Sequence, residues 1–128
     1  MDVASPLTAY LVGPEWYAID GNHRWMPGRA TLRIGGPSAA TQQLYLHGNC
    51  ADQQFAAGPL EIRVTVDGTS LPSLRIPPGN TSFDLAVPLP AGVVGKREMA
   101  IAIEVNRTFR PSGDNRELGL AFGVFEIR

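Results

Sequence analysis

The apolar residues of this chain fall at alternate positions in several short runs. The clearest run covers residues 60–68 (LEIRVTVDG), where Leu60, Ile62, Val64 and Val66 alternate with polar residues. Because the side chains of a strand point alternately to its two faces, this period of two predicts a strand with one buried face. The same alternation recurs in the runs ATLRI, QLYLHG, SFDLAV and EMAIAIEV.

The segments between these runs carry turn signals rather than helical ones. The 14 glycines and 11 prolines are spread along the chain, and Asp67-Gly68 predicts a tight hairpin turn. Residues 50–58 (CADQQFAAG) predict only a turn or a 3₁₀ piece. The last run, LGLAFGVFEIR, is apolar on both faces, which predicts a central strand. We therefore expect one domain over residues 1–128, an all-β antiparallel β-sandwich, jelly-roll-like, with about eight to ten strands.

Composition and charge indicate which classes of partner the protein can bind and in which cell compartment we expect it. Hydrophobic residues make up 44% of the chain, charged residues 18%, and the net charge is −1. This balance lacks the basic patch that phosphate backbones require, so nucleic acid is not an expected partner. No apolar run reaches the length of a membrane span, and the N-terminus does not read as a signal peptide. With Cys50 as the single cysteine, we expect a cytoplasmic protein.

The motifs that mark common catalytic sites are absent. The chain has no G-x-S-x-G elbow, no P-loop and no G-x-G-x-x-G run. Four of the twelve acidic residues, Glu61, Asp84, Glu98 and Glu104, occupy outward positions of the predicted strands, which is typical of a solvated surface. We expect a protein that is not an enzyme. The alternative is a small jelly-roll hydrolase or isomerase, built on His23 with Asp20 or on His47 with an acid from another strand.

Metal ligands are also sparse. A structural zinc site takes four nitrogen or sulfur ligands, and the chain has three such residues, His23, His47 and Cys50. The turns DGN at 20–22 and GDN at 113–115 supply oxygens that suit calcium, but Asp and Asn prefer turns for backbone reasons alone. We predict no metal or cofactor, with a structural calcium ion as the alternative.

The stretch 15–25 (EWYAIDGNHRW) concentrates the aromatic side chains. Exposed aromatic rings with a few directed polar groups are the usual components of a small-ligand site. The predicted ligand-binding residues are Trp16, Tyr17, Asp20, Arg24, Trp25 and Tyr45. Because Trp25 precedes Met26 and a Pro-Gly turn, we expect Trp25 to anchor the core and Trp16 or Tyr17 to face a surface.

A second stretch, residues 106–122 (NRTFRPSGDNRELGLAF), is rich in arginine and acidic residues. Arginine binds carboxylates through two parallel hydrogen bonds, so this loop predicts a structural latch formed by Arg110, Asp114 and Arg116. The same residues could instead line a polar groove.

Together the two stretches resemble a family of small bacterial β-sandwich domains. These domains occur alone or beside glycosyltransferases and methyltransferases of cell-surface polysaccharide pathways, and they are similar to jelly-roll carbohydrate-binding modules. The matching positions are Trp16, Tyr17, Arg24, Trp25, Phe109, Pro111, Asp114, Arg116, Leu118 and Gly119. The resemblance implies an accessory role without catalysis.

Two hypotheses of function follow. The first is a non-catalytic carbohydrate-binding-like module, accessory to polysaccharide biosynthesis, whose ligand is a carbohydrate or glycan intermediate. The second is a structural or interaction β-sandwich that forms a homodimer or docks on a partner enzyme, with no small-molecule ligand. The small alanines of EMAIAIEV suit sheet-on-sheet contact between subunits and support the second hypothesis.

Overall fold

Ten strands account for the regular structure in the computed structural model, which describes all residues from Met1 to Arg128. The strands are β1 (Ile19–Asp20), β2 (His23–Trp25), β3 (Arg29–Ile34), β4 (Gln43–Asn49), β5 (Leu60–Val66), β6 (Thr69–Ser70), β7 (Leu74–Ile76), β8 (Ser82–Pro88), β9 (Met99–Val105) and β10 (Ala121–Ile127). The helices are three 3₁₀ pieces, Pro6–Leu11, Asp52–Phe55 and Ala91–Val93. None of them is long and apolar enough to cross a membrane.

The strands form two antiparallel sheets. Sheet 1 has the order β1-β2-β10-β4-β8, and sheet 2 has the order β3-β9-β5-β6, with β7 also paired to β5. The prediction of an antiparallel β-sandwich is confirmed, and the number of strands is within the expected range. The doubly apolar last strand, β10, lies in the middle of sheet 1 as its sequence predicts.

The core lies between the sheets and is built from the inward positions of each strand. Along β5 the buried positions alternate with outward ones, as the period of two requires. In sheet 1 the ring of Phe122 packs against the rings of Phe83 and Phe125, with centroids 6.0 and 5.1 Å apart. Each fully buried side chain of this size stabilises the fold by about 1.5–3 kcal/mol.

The predicted hairpin turn joins β5 to β6. Asp67 has φ 48° and Gly68 has φ 85°, which are the positive values that a type I′ turn requires. The Asp67 carboxylate accepts hydrogen bonds from Lys96 Nζ at 2.6 Å and from the Ala100 amide at 2.8 Å. These bonds hold the pKa of Asp67 below its ordinary value. The turn is thereby fixed to β9.

The outer edge of β3 is covered by residues 11–16, which we call the strap. Gly13 N donates to Thr31 O at 2.8 Å, and the indole Nε1 of Trp16 donates to the same oxygen at 2.8 Å. The Glu15 carboxylate accepts bonds from the Thr31 amide and hydroxyl, at 3.1 and 2.9 Å. An uncovered edge strand would present unpaired backbone groups, and the strap pairs those of Thr31 at the middle of β3.

The loops at the end of β4 and after β9 are joined by one arginine. Arg107 donates from Nε to Gln54 O at 2.9 Å and from Nη2 to the carbonyls of Gly58 and Pro59. In return, Gln54 Nε2 donates to Arg107 O at 2.9 Å and to Gly119 O at 2.8 Å. Gln54 is buried, and these bonds satisfy its amide group.

The single cysteine lies just beyond β4. Cys50 is buried, and its Sγ is 3.6 Å from the Asn80 carbonyl oxygen, which belongs to the loop before β8. Burial raises the pKa of the Cys50 thiol to about 11, and the charge of Asp52 acts in the same direction. The thiol therefore stays protonated and unreactive at neutral pH.

Candidate functional site

The structure separates the residues predicted to bind a ligand, beginning with Trp16. This side chain is 6% exposed, and its ring packs edge-on against Phe122 with centroids 6.2 Å apart. Because the strap crosses the edge of β3 and turns the indole inward, no ring face is left for a ligand. The prediction that Trp16 belongs to a binding surface is wrong.

Trp25 is more exposed than the sequence predicts. We expected it in the core, but it is only half-buried. The reason is that β2 pairs Trp25 with Ala121 on the face of sheet 1 that points away from the core. The Phe109 ring packs edge-on against Trp25 with centroids 5.5 Å apart, and the His23 ring does so at 6.2 Å. His23 Nε2 is 3.6 Å from the carboxylate of exposed Asp20.

Tyr17 and Arg24 use their polar groups within the chain. The Tyr17 hydroxyl donates to Glu117 O at 2.8 Å, and the Arg116 guanidinium lies 5.5 Å from the centre of its ring. Arg24 Nε donates to Tyr17 O at 2.6 Å, while its Nη1 is buried without a hydrogen-bond partner. Arg24 shares the inward face with its strand partner Phe122, which explains this burial. These contacts fasten the stretch 15–25 to the loop 106–119.

The loop after β9 contains the arginine–carboxylate contacts that the latch hypothesis requires. Arg116 grips Asp114 through Nε at 3.1 Å and Nη2 at 2.7 Å, and its amide donates to the same carboxylate at 2.8 Å. These hydrogen bonds lower the pKa of Asp114 to about 2. Arg110 is not part of this contact and lies 3.7 Å from Glu117 on the surface. A latch role for the loop remains a proposal that mutation can test.

Tyr45 lies on the same outer face of sheet 1 as Trp25, but far from it. Ala121 pairs with both Trp25 and Asn49, and Tyr45 is four residues further along β4, a distance of about 13 Å. Its ring is covered by the Arg128 guanidinium, 4.2 Å from the ring centre. The structure therefore does not join Tyr45 to the residues of the stretch 15–25.

His47 finds an acid on a neighbouring strand. Its Nδ1 is 2.7 Å from Asp84 Oδ1, because β4 and β8 pair these two residues directly. Both side chains are exposed. No group of three or more His, Cys, Asp or Glu side chains is gathered closely enough to hold a metal ion.

The largest cavity is an open trough across the outer face of sheet 2, with a volume of about 510 Å³. The strand register places Thr31 of β3, Ala102 of β9 and Thr65 of β5 side by side on its floor. Ala100 continues the floor, and residues 11–13 of the strap form one wall. The volume is within the range of small-molecule sites, and small side chains create it.

Charged pairs border the trough on both sides. Arg29 lies 3.2 Å from Glu104, and Arg33 lies 3.3 Å from Glu98. Arg29 and Arg33 are four residues apart on β3, so these borders are separated by about 13 Å along the strands. The trough therefore has a small, partly apolar floor between two polar rims.

Tyr10, which directly precedes the trough residue Leu11, is an exposed aromatic residue that the sequence analysis did not select. Tyr10 is 72% exposed, and its carbonyl accepts a hydrogen bond from Arg33 Nη2 at 2.8 Å. Leu7, three residues earlier in the same 3₁₀ helix, is 85% exposed and lies on the same side. The signal in the sequence is Ser5-Pro6, a helix start that places these two side chains one turn apart.

Comparison with known proteins supports the fold. No family model matches the chain, and no curated protein matches it. Among solved structures, a family two carbohydrate esterase from Clostridium thermocellum in complex with cellohexaose has a TM-score of 0.52 and 12% identity, and an active-site mutant of it has 0.52 and 13%. Each match covers 91% of this chain and 30% of the esterase, so the chain spans about a third of that protein's length.

A family 35 carbohydrate binding module from an environmental isolate is also similar, with a TM-score of 0.49 and 8% identity, over 92% of this chain and 75% of the module. At such identities the likeness to the esterase concerns the fold alone. The association with glycosyltransferases and methyltransferases remains a prediction. By its structure and by these comparisons, the chain is an antiparallel β-sandwich.

Proposed function

We propose that this chain is a non-catalytic carbohydrate-binding module whose ligand lies in the trough of sheet 2. The observation that carries the proposal is the trough itself, about 510 Å³ of open space with a floor of small side chains. The fold it shares with the esterase solved with cellohexaose supports carbohydrate as the ligand class.

The lining of the trough suits the two kinds of surface that a sugar ring presents. Ala100 and Ala102 offer apolar contact to the C–H groups, while Thr65 and the rim arginines offer directed hydrogen bonds to hydroxyls. Thr31 is engaged with Glu15, which fixes its orientation. A trough open to solvent accepts an extended chain more readily than it encloses a single ring.

The charges at the rims favour a neutral ligand. Arg29 and Arg33 each have a glutamate within about 3.3 Å, so neither guanidinium is left without a counter-charge. An acidic sugar would have to compete with these glutamates, whereas hydroxyl groups can bind beside them. We therefore assign neutral oligosaccharides to the trough.

Calorimetric titration with cellohexaose and other neutral hexasaccharides tests the proposal. The variant Thr65→Tyr fills the floor with a residue that strands accept well, and Glu61→Tyr is the matched control on the same strand and face. We expect the affinity of the trough to fall at least tenfold in Thr65→Tyr and to be unchanged in Glu61→Tyr. Absence of binding at millimolar concentration for every sugar, or binding that Thr65→Tyr leaves unchanged, contradicts the proposal.

The two tryptophans identify the occupied surface independently. Trp16 donates to the carbonyl of Thr31 beneath the trough, whereas Trp25 lies on sheet 1, where its carbonyl accepts a hydrogen bond from the Tyr17 amide at 3.0 Å. In the single-tryptophan variants Trp25→Phe and Trp16→Phe, sugar in the trough should change the emission of Trp16 alone. A response of Trp25 alone would move the site to the aromatic residues and overturn the trough.

Exposed apolar residues beside the trough favour a second candidate function, docking on a partner protein or on a second copy. Leu7 and Tyr10 are both exposed on the first 3₁₀ helix. Exposed apolar patches often mark protein interfaces, and tyrosine is enriched there. Light scattering of the wild type and of Leu7→Ser tests self-association. A dimer that Leu7→Ser dissociates supports this function, and a monomer in both cases removes the homodimer.

The accessory role in polysaccharide biosynthesis and the cytoplasmic location belong to the same proposal. The accessory role depends on a partner that acts on glycans, and the location is inferred from the single cysteine, Cys50. Co-purification with a glycosyltransferase or methyltransferase tests the role, and cell fractionation tests the location.

A further inference from the structure

We infer that the chain has a second carbohydrate site, which takes a single terminal sugar ring, in a hollow on the outer face of sheet 1. The inference rests on the proposed function for its ligand class. The hollow has a volume of about 180 Å³. The residues that define it are Tyr45, His47, Asp84, Val124, Glu126 and Arg128.

An irregularity in β10 creates the hollow. The pairing of β10 with β4 shifts between Phe122 and Phe125, so that Val124 has no partner on β4. Val124 is 41% exposed, which leaves an apolar spot beside the polar groups. Such bulges break a ladder locally and are often found next to binding sites.

The polar groups around the hollow are held in place by one another. His47 Nδ1 and Asp84 Oδ1 are 2.7 Å apart, which leaves His47 Nε2 and the second carboxylate oxygen for a ligand. On the other side, Arg128 lies over the Tyr45 ring at 4.2 Å and has its Nε 3.5 Å from Glu126. Acceptors and donors therefore face the same small space, which is what neighbouring sugar hydroxyls require.

Size separates this hollow from the trough. At about 180 Å³ it has roughly a third of the trough's volume and falls below the usual range for whole small-molecule ligands. It can hold one ring at the end of a chain but not an extended segment. The two sites therefore differ in the part of a glycan that they bind.

Their placement has a consequence for binding. The trough lies on the outer face of sheet 2 and the hollow on the outer face of sheet 1, with a core about 10 Å thick between the sheets. A short oligosaccharide cannot occupy both. One molecule with two such sites joins two glycan chains and gains avidity on a surface that displays many of them.

The test is a nuclear magnetic resonance titration with cellohexaose, followed at His47 and Tyr45 for the hollow and at Thr31 and Thr65 for the trough. We expect two saturable sets of shifts, with Asp84→Ala weakening the hollow set at least tenfold and leaving the trough set unchanged. Glu61→Ala, which removes an exposed acid outside the hollow, is the control. The wild-type titration alone reports both sites if Asp84→Ala does not fold.

The outcomes distinguish this inference from the proposed function. Shifts confined to the trough, or a hollow set that Asp84→Ala does not weaken, overturn the second site and leave the module intact. Shifts confined to the hollow overturn the trough and keep the inference. A titration with no shifts at either place overturns both.

Discussion

Trp16 donates its indole hydrogen to Thr31 and packs against Phe122, whereas Trp25 lies half-exposed under Phe109. The two side chains differ in burial because different partners orient them. Trp16 belongs to the strap over β3, and Trp25 is set opposite Ala121 by the three-residue strand β2. Alternation within so short a strand does not reveal which face is buried. The pairing with β10 decides it.

The first prediction compares the two tryptophans. Trp16→Ala should lower the free energy of unfolding by about 3–5 kcal/mol, because it removes a fully packed ring and leaves a cavity. Trp25→Ala should cost about half as much, since part of its surface is already in water. Urea unfolding followed by circular dichroism measures both. Equal losses would contradict the difference in burial between the two side chains.

The second prediction concerns Arg107, a residue that the sequence analysis did not assign to the latch. Arg107→Lys keeps the charge but cannot reach the three carbonyls of the loop 54–59 together. Hydrogen bonds from a charged donor contribute about 1.5–3 kcal/mol each, so we expect a loss of about 2–3 kcal/mol in unfolding free energy. Surface Arg110→Lys should change it by less than about 0.5 kcal/mol. A loss no larger than that of Arg110→Lys would contradict a stabilising role for the bonds of Arg107 to the loop 54–59.

At the scale of elements, the long strands could be predicted from the sequence and the short ones could not. The six runs with sustained alternation or continuous apolar character correspond to β3, β4, β5, β8, β9 and β10. Strands β1, β2, β6 and β7 have two or three residues each, which is too few to show a period. They form because neighbouring strands offer them hydrogen bonds.

The candidate sites depend on register, which is also hidden from the sequence. The sequence shows that Ala100 and Ala102 form one small-residue face of β9. It does not show that Thr31 and Thr65 flank Ala102, because that depends on the pairing of β9 with β3 and β5. Likewise, the sequence analysis expected an acid from another strand beside His47. Only the pairing of β4 with β8 shows that this acid is Asp84. Long-range pairing supplies what local pattern omits.

The third prediction concerns the entry to β10. A Cβ on Gly119 would lie 2.3 Å from the Pro27 carbonyl oxygen and 3.0 Å from the Val105 side chain. Because the nearest atom belongs to the backbone, Gly119→Ala should destabilise the fold by about 1–3 kcal/mol. Gly92→Ala has open space and serves as the control. Thermal unfolding compares them, and equal melting temperatures would disprove the close approach.

For the whole molecule, two carboxylates make stability depend on pH. The pKa of Asp114 is lowered to about 2 by its hydrogen bonds to Arg116, and that of Asp67 is lowered by its bonds to Lys96 and Ala100. Between the folded and unfolded pKa values the unfolded chain binds more protons, so stability rises with pH. The stability that these two carboxylates contribute is fully present above the ordinary carboxyl pKa and is lost as the pH falls towards 2.

The fourth prediction follows from this sign. The melting temperature of the wild type should fall steadily from about pH 5 to pH 2. Asp114→Asn should be less stable at pH 7 and lose less on acidification, because it lacks one of the two lowered carboxyl pKa values. Calorimetry at several pH values measures both slopes. Parallel slopes for the two proteins would show that the Asp114–Arg116 contact does not stabilise the fold.

The buried thiol of Cys50 can serve as a probe of local opening at one end of the sandwich. Because burial raises its pKa to about 11, little of the thiol is ionised at neutral pH, and burial also keeps a disulfide reagent from reaching it. Every modification in the native state therefore records an opening that separates the end of β4 from the loop before β8. Comparing the native rate with that of the unfolded chain gives the free energy of this opening. Because β4 also carries Tyr45 and His47, a sugar bound in the hollow should lower the rate at which Cys50 is modified in the native state.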